Sequence, residues 1–332
     1  MEYEKFLKSL DPEQAVVCFD EEMKFHTSFG IGGKVKYFVV VNKTKTLIEI
    51  LKRTNKFFIL GAGTNLLFQD KIYDGTIIKL GKEFNRFKIN ENTITVGSGV
   101  NLFYLCKILK ENGLLGMEFL FGIPGTVGGG IVSNAGAFGK EVANYVKKVK
   151  IFDGKRVYWT KNFNFEYRNS SFKKNRQIVL AVQFELEKGS QQEIEKLQQE
   201  FWNRRKESQP IGEKSAGSVF KRIYTDKEII FPAKLIDKLG LKGAKIKDAE
   251  VSLKHAGFIV NKNNAKAKDV LKLIKKIKRK VKKENNITLE EEIVVFNKKR
   301  YGYFWRLPHP HPLQSRNRNG FGKRNCSKGK RP

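Results

Sequence analysis

Cysteine, histidine and acidic side chains are all scarce in this chain of 332 residues. Its three cysteines, Cys18, Cys106 and Cys326, stand far apart, without the paired spacing of a zinc site or the even count of a disulfide framework. They read as reduced thiols in a cytoplasm. Of the four histidines, His26 reads as structural and His255 is tempting as a base. His309 and His311 near the end are too few to hold an ion, so no metal is expected. No apolar run approaches the roughly 20 residues of a spanning helix. The opening "MEYEKFLKSLDPEQ" mixes charges and lacks an apolar run, so neither a secretion signal nor stable membrane insertion is expected.

The acid deficit is the largest imbalance. Against 65 Lys and Arg stand 34 Asp and Glu, a formal charge of +31. Nucleic-acid binders gather such charge into stripes interleaved with aromatics or into a recognisable module. Here lysine is spread through strands and turns as well, as in "KIFDGKRVYW", so no nucleic-acid partner is expected. Two segments are denser, 266–283 and the tail from Lys298 onward. The first spaces Val270, Leu271, Leu273, Ile274, Ile277 and Val281 as the buried side of a helix, which makes its lysines a solvated face. The tail has eleven basic and no acidic residues with abundant Pro, Gly and Asn, and reads as disordered.

What the chain does have is glycine, 29 residues, seven of them in "GIPGTVGGGIVSNAGAFG" (122–139). Glycine costs backbone entropy on folding, so a cluster needs a reason. A flexible linker would be polar, whereas this segment carries Ile123, Val127, Ile131, Val132 and Phe138. It reads as backbone brought close to something flat or anionic, with N–H groups free to meet phosphate oxygens. A second glycine turn, "GAGTN" (61–65), follows directly on the strand "KFFIL" in a strand–helix–strand unit, "GKVKYFVVV", "TKTLIEILKRT", "KFFIL". Loops at the carboxyl ends of such strands often bind ligands. The turn lacks the GxGxxG spacing of a Rossmann fingerprint.

After "GTIIKL" come strands "NRFKIN" and "NTITVGSGV" and the helix "NLFYLCKILKENG", with Cys106 on its apolar face. A hairpin turning at Asp153–Gly154 and the strand "QIVLAVQFELE" close the first half. The break "KGSQQ" sets a domain boundary near 188, followed by the helix "QEIEKLQQEFWNRRKE" and a new α+β pattern ending in "EEIVVF".

The blocks "TSFGIGG" (27–33), "LGAGTNLLFQD" (60–70), "VGSGV" (96–100) and the glycine segment occur in that order. "YRNSSF" (167–172), "SAGSVFKR" (215–222), "SLKHAGFIVN" (252–261) and "LEEEI" (289–293) follow. Together they resemble the UDP-N-acetylenolpyruvoylglucosamine reductase family, in its shorter branch, over about 17 to 296. The resemblance implies an α+β chain with the flavin-binding fold of the vanillyl-alcohol-oxidase class, two α/β subdomains, plus a C-terminal α+β substrate-binding domain. The expected division is 1–187 for the FAD-binding part, split near 81, then 188–297, then the tail 298–332. Implied cofactors are non-covalent FAD and NADPH as co-substrate, for reduction of UDP-GlcNAc-enolpyruvate in peptidoglycan precursor synthesis by a cytoplasmic monomer.

By motif matching, Arg168 and Glu292 would stabilise a developing enolate and Ser218 would supply the proton that the α-carbon takes up. Gly61, Ala62, Gly63, Thr64 and Asn65 would hold FAD. So would Gly122, Ile123, Pro124, Gly125, Thr126, Gly128, Gly129, Asn134, Ala135 and Gly136. Tyr167, Lys221, His255 and Asn261 would meet substrate. The chain departs from the family pattern at Arg222 and Ile223 (usually Asn-Pro), Lys247 (glycine), Val294 (a basic residue), Ser208 (lysine) and Phe138 (tyrosine). Two alternatives stay open on sequence alone: another FAD-dependent oxidoreductase of the same fold, and a non-catalytic basic protein that binds RNA or a membrane surface.

Overall fold

The computed structural model describes residues 2–296. The expected disordered tail, with Cys326, His309 and His311, lies outside the described residues.

The first unit is a four-stranded sheet. After α1 (Glu2–Lys8) come β1 (Ala15–Glu22), β2 (Lys34–Val41), α2 (Thr44–Arg53), β3 (Phe57–Leu60), β4 (Leu66–Phe68) and β5 (Tyr73–Leu80). The sheet order is β1-β2-β5-β3, with β1 antiparallel to β2 and the remaining pairs parallel. The crossover α2 buries Leu47, Ile50 and Leu51 over the sheet while its lysines face water. The carboxyl end of β3 opens straight into the turn at 61–65, so the sheet aims that turn.

The second unit is a five-stranded antiparallel sheet. Its β6 (Phe87–Asn90) and β7 (Thr93–Gly97) form one edge, followed by strands Ile178–Glu185, Val146–Phe152 and Val157–Thr160. Two helices cover it, α3 (Leu102–Glu111) and α4 (Val127–Val132). Asn101 caps α3, its side chain accepting from the Phe103 N–H. Cys106 is 1% exposed in the core beneath, and burial pushes its thiol pKa up, as core filling requires. The hairpin turn at Gly154 has φ of +95°.

The third unit has a four-stranded antiparallel sheet ordered Ser215–Ser218, Phe258–Asn261, Ala249–Val251, Lys245–Ile246. The long helix Ala267–Asn285 buries Val270, Leu273, Ile274, Ile277 and Val281 against it. This core also takes in Phe29, Ile31 and Leu67 from the first unit. Lys247, where the family pattern has glycine, sits at φ of +53°, the region glycine occupies most cheaply.

Two connections cross the units. The helix Gln191–Ser208, which the boundary near 188 assigns to the third unit, packs on the second: Gln198 Nε2 donates to the Cys106 carbonyl at 2.9 Å. We therefore propose a boundary after Ser208, where Pro210 ends the helical run. The last strand, Val294–Phe296, returns to the first unit and pairs in parallel with β4. Phe296 stacks on Phe68 at 4.3 Å and is 1% exposed.

Candidate functional site

The turn 61–65 and the glycine segment lie against each other. Thr64 Oγ1 donates to the Pro124 carbonyl at 2.9 Å, and a Cβ added to Gly61 would stand 3.0 Å from Thr126 Oγ1. Gly63, at φ of +68°, is packed so closely on the His26 carbonyl that any side chain would collide with it. His26 in turn stacks on Phe38 at 4.0 Å and meets Glu21 at 2.8 Å, a support for the turn. Among the described residues, the N–H groups of Gly61, Ala62, Gly63, Thr64 and Asn65 donate to no protein acceptor, nor do those of Gly125 and Thr126. A run of free N–H groups on two touching loops is a cradle for phosphate oxygens, and it fits the diphosphate of a dinucleotide.

The glycines divide by what they face. A Cβ on Gly128 would stand 2.8 Å from Ser98 Cβ, so that glycine serves the contact between α4 and the "VGSGV" block, and its N–H already bonds the Ser98 carbonyl. A Cβ added to Gly122 would stand 2.7 Å from the Trp202 ring, and one on Gly136 2.6 Å from the Lys140 carbonyl. Gly129 is different. It is exposed, and an added Cβ would meet only Thr126 Oγ1, at 3.4 Å. Gly129→Val should therefore leave the empty protein folded and weaken flavin binding by about tenfold or more, the scale of an overpacked contact. Flavin fluorescence titration against a melting curve checks this, and unchanged affinity would place the ring elsewhere.

Asn134, matched to a cofactor contact, has its side chain committed within the chain. It is fully buried at φ of +46°, its amide nitrogen donates to Glu141 and the Glu166 carbonyl, and its oxygen accepts from the Ala143 N–H. That side chain is spent on folding the loop that ends at Gly136. Ile123, Pro124 and Ala135 supply the loop's shape; Pro124 is exposed and Ala135 half-buried.

Residues 124 apart in sequence meet beside Gly136. Arg168 Nε donates to Glu292 Oε1 at 2.7 Å and a second guanidinium nitrogen donates to the Gly136 carbonyl at 3.0 Å. The Tyr167 hydroxyl donates to Glu292 Oε2 at 3.4 Å and accepts from the Arg222 N–H at 3.3 Å. Burial, helped by the charge of Glu292, raises the Tyr167 pKa, so the phenol stays a donor. Arg168 itself has φ of +55°, an uncommon conformation for a non-glycine residue that turns its side chain back toward the glycine segment. Both charged side chains remain partly open, at 22% and 15% exposure, so the pair can reach a ligand.

Glu292 is fixed from both sides by backbone. Its N–H donates to the Val219 carbonyl at 2.7 Å, and the Glu292 carbonyl accepts from Asn65 Nδ2 at 3.3 Å. Each of the three glutamates takes a different cation: Glu290 pairs with Lys221, Glu291 with Lys278 and Glu292 with Arg168. Val219 directly follows the strand Ser215–Ser218, and the Ser218 Oγ reaches only the Phe220 carbonyl, at a long 3.4 Å. Gly217 beside it, at φ of +78°, faces open space. The hydroxyl is therefore left without a strong bond of its own.

Two residues matched to substrate make bonds within the chain. Asn261 is 4% exposed, its amide nitrogen donating to the Phe29 carbonyl and its oxygen accepting from the Ala265 N–H. It ties the "TSFGIGG" segment to the third sheet. His255 lies over the helix Pro232–Lys238, accepts from the Gly257 N–H at 3.0 Å and packs on Phe258; burial lowers its pKa and keeps the imidazole neutral. Lys221 Nζ pairs with the largely exposed Glu290.

Sequence reasoning missed Arg205. It is 6% exposed, has no carboxylate partner among the described residues, and donates to the carbonyls of Phe119 and Phe121 at 3.2 and 3.1 Å. Burial, with the positive charge of Arg168 nearby, draws its pKa down to about 10. It anchors the entry to the glycine segment, and its adjacent arginine in "NRRKE" masks it as one more basic residue.

Comparison with known proteins agrees with this layout. A family model described as FAD binding domain matches residues 35–156. The model of the UDP-N-acetylenolpyruvoylglucosamine reductase C-terminal domain matches 209–296. The UDP-N-acetylenolpyruvoylglucosamine reductase of Pseudothermotoga lettingae is 41% identical over 282 residues, 84% of this chain and 98% of its own length. That of Thermotoga maritima is 41% identical over 83% of this chain and 97% of its own. The crystal structure of the Thermus caldophilus reductase superposes with a TM-score of 0.72 at 33% identity, covering 85% of this chain and 99% of that one. With the α+β flavin-binding fold, the FAD-binding domain match and the two free N–H loops in place, the chain belongs to the UDP-N-acetylenolpyruvoylglucosamine reductase family of FAD-dependent oxidoreductases.

Proposed function

We propose that the chain reduces UDP-N-acetylenolpyruvoylglucosamine to UDP-N-acetylmuramate with NADPH, as a cytoplasmic monomer. The observation that carries this reading is the Arg168–Glu292 pair held beside Gly136 and next to the Ser218 strand. The two loops would hold FAD, which would supply the hydride relay from NADPH to the enolpyruvyl double bond. Negative charge then develops on the enolpyruvyl carboxylate and neighbouring carbon. Arg168 meets that charge with a fixed cation, oriented by Glu292 and Gly136 before substrate arrives, so little reorganisation is needed. Tyr167 keeps Glu292 in place. Ser218 delivers the proton to the α-carbon, its weak acidity as an alcohol offset by the local positive field.

Glu250, buried and paired with Lys245, and Asp269, buried at the start of its helix, belong to the third unit's framework and take no part in this chemistry. NADPH should bleach the purified yellow protein under anaerobic conditions, and the colour should return on adding the enolpyruvyl nucleotide. Return with a simple hydroxy acid or alcohol product instead would assign a different oxidoreductase activity.

A further inference from the structure

The surplus positive charge concentrates on one element. The helix Ala267–Asn285 carries nine Lys and Arg against Asp269 and Glu284, and Asp269 is buried. Among the described residues, Lys278 is the one cation of this helix with a carboxylate partner, Glu291. Elsewhere ion pairs are frequent, and the other long helix, Gln191–Ser208, balances its cations with Glu193, Glu195, Glu200 and Glu207. Leu271, which the helical spacing assigns to the buried side, is 40% exposed. It stands at the lip of an open trough of about 600 Å³ between this helix and residues 288–291. Ile274 and Leu289 line its interior; Lys275, Arg279, Lys282 and Lys283 form the rim.

We propose that this face of the third unit docks on an anionic lipid bilayer. The charge sign selects a polyanion, and the trough selects among polyanions. A nucleic-acid surface offers bases that need aromatic platforms or polar readers, and the trough has no aromatic side chain. A bilayer offers phosphate at the rim and hydrocarbon just below, which matches lysines whose stems flank exposed Leu271. The mode is peripheral: no described helix is long and apolar enough to cross a membrane. Anionic leaflets attract such basic faces additively, and salt screens the attraction.

The test uses the full chain, so the basic residues beyond 296 are present in every sample and differences read the helix. Sedimentation with vesicles of phosphatidylcholine alone or with about one third phosphatidylglycerol should show at least about tenfold stronger binding to the anionic set, falling as salt is raised. The variant carrying Lys275→Gln, Lys276→Gln, Arg279→Gln and Lys283→Gln should lose at least about tenfold of that binding, with flavin content and melting unchanged. Leu271→Asn should weaken binding by about two- to fivefold through loss of the buried apolar contact. Equal binding to both vesicle sets, or a fourfold variant that binds like the parent, would overturn the proposal. So would tighter binding to a uridine homopolymer than to anionic vesicles, because that would assign the face to nucleic acid.

Discussion

Ser218→Ala should lose 10²–10⁴-fold in turnover, the usual contribution of one positioned proton donor, while folding and flavin content stay as in the parent. The hydroxyl has no strong bond to lose, since its contact with the Phe220 carbonyl is 3.4 Å, and the space beside Gly217 is open. Alanine at this position removes one oxygen and disturbs nothing packed behind it. Ser218→Cys keeps a donor of lower pKa and should retain more activity than alanine. Stopped-flow measurement of product formation in both variants decides the matter. If alanine makes product at the parent rate, Ser218 is a turn residue and the proton comes from elsewhere.

Glu292→Gln should slow substrate-driven reoxidation of the flavin by roughly a hundredfold or more and leave NADPH-driven bleaching near normal. The neutral amide can still accept from Arg168 Nε, so the fold around Gly136 survives. What changes is charge: Arg168 loses its counter-ion and its fixed aim, and the Tyr167 hydroxyl loses the carboxylate that orders it. The two half-reactions are read separately by absorbance. Equal slowing of both would mean that Glu292 shapes the flavin site and has no particular role toward the enolpyruvyl group.

Much of the site was legible because its chemistry is written in short blocks. The glycine turn at 61–65 follows a strand and is preceded by an amphipathic helix, a local pattern that periodicity reveals, and the structure leaves its N–H groups free as that pattern suggests. The meeting of Arg168 and Glu292 was legible only through resemblance, since nothing local links positions 124 residues apart. Asn134 and Asn261 show the limit. An asparagine in a matched block can serve a ligand or its own backbone, and side-chain type does not tell which. Here both amides are satisfied by the chain. Gly128 shows the same ambiguity without a side chain, its bareness serving Ser98. Short strands such as Lys245–Ile246 and Ala249–Val251 were missed because two or three residues cannot display an alternation. Leu271 sits in a helical period that puts it inward, but the trough beside residues 288–291 leaves it uncovered.

The strand Val294–Phe296 pairs with β4, and the Val294 N–H bonds the Asn65 carbonyl. A ribosome delivers Asn65 early and Glu292 near the end of the described chain, so the turn at 61–65 and the carboxylate that pairs with Arg168 become neighbours only after residue 292 is made. Until then the nascent protein holds β4 without its partner, with Phe68 lacking the stacked ring of Phe296. The fold thereby has a late fastening: a product ending before Glu292 would carry the two N–H loops in contact but lack both the Arg168 ion pair and the strand that covers β4.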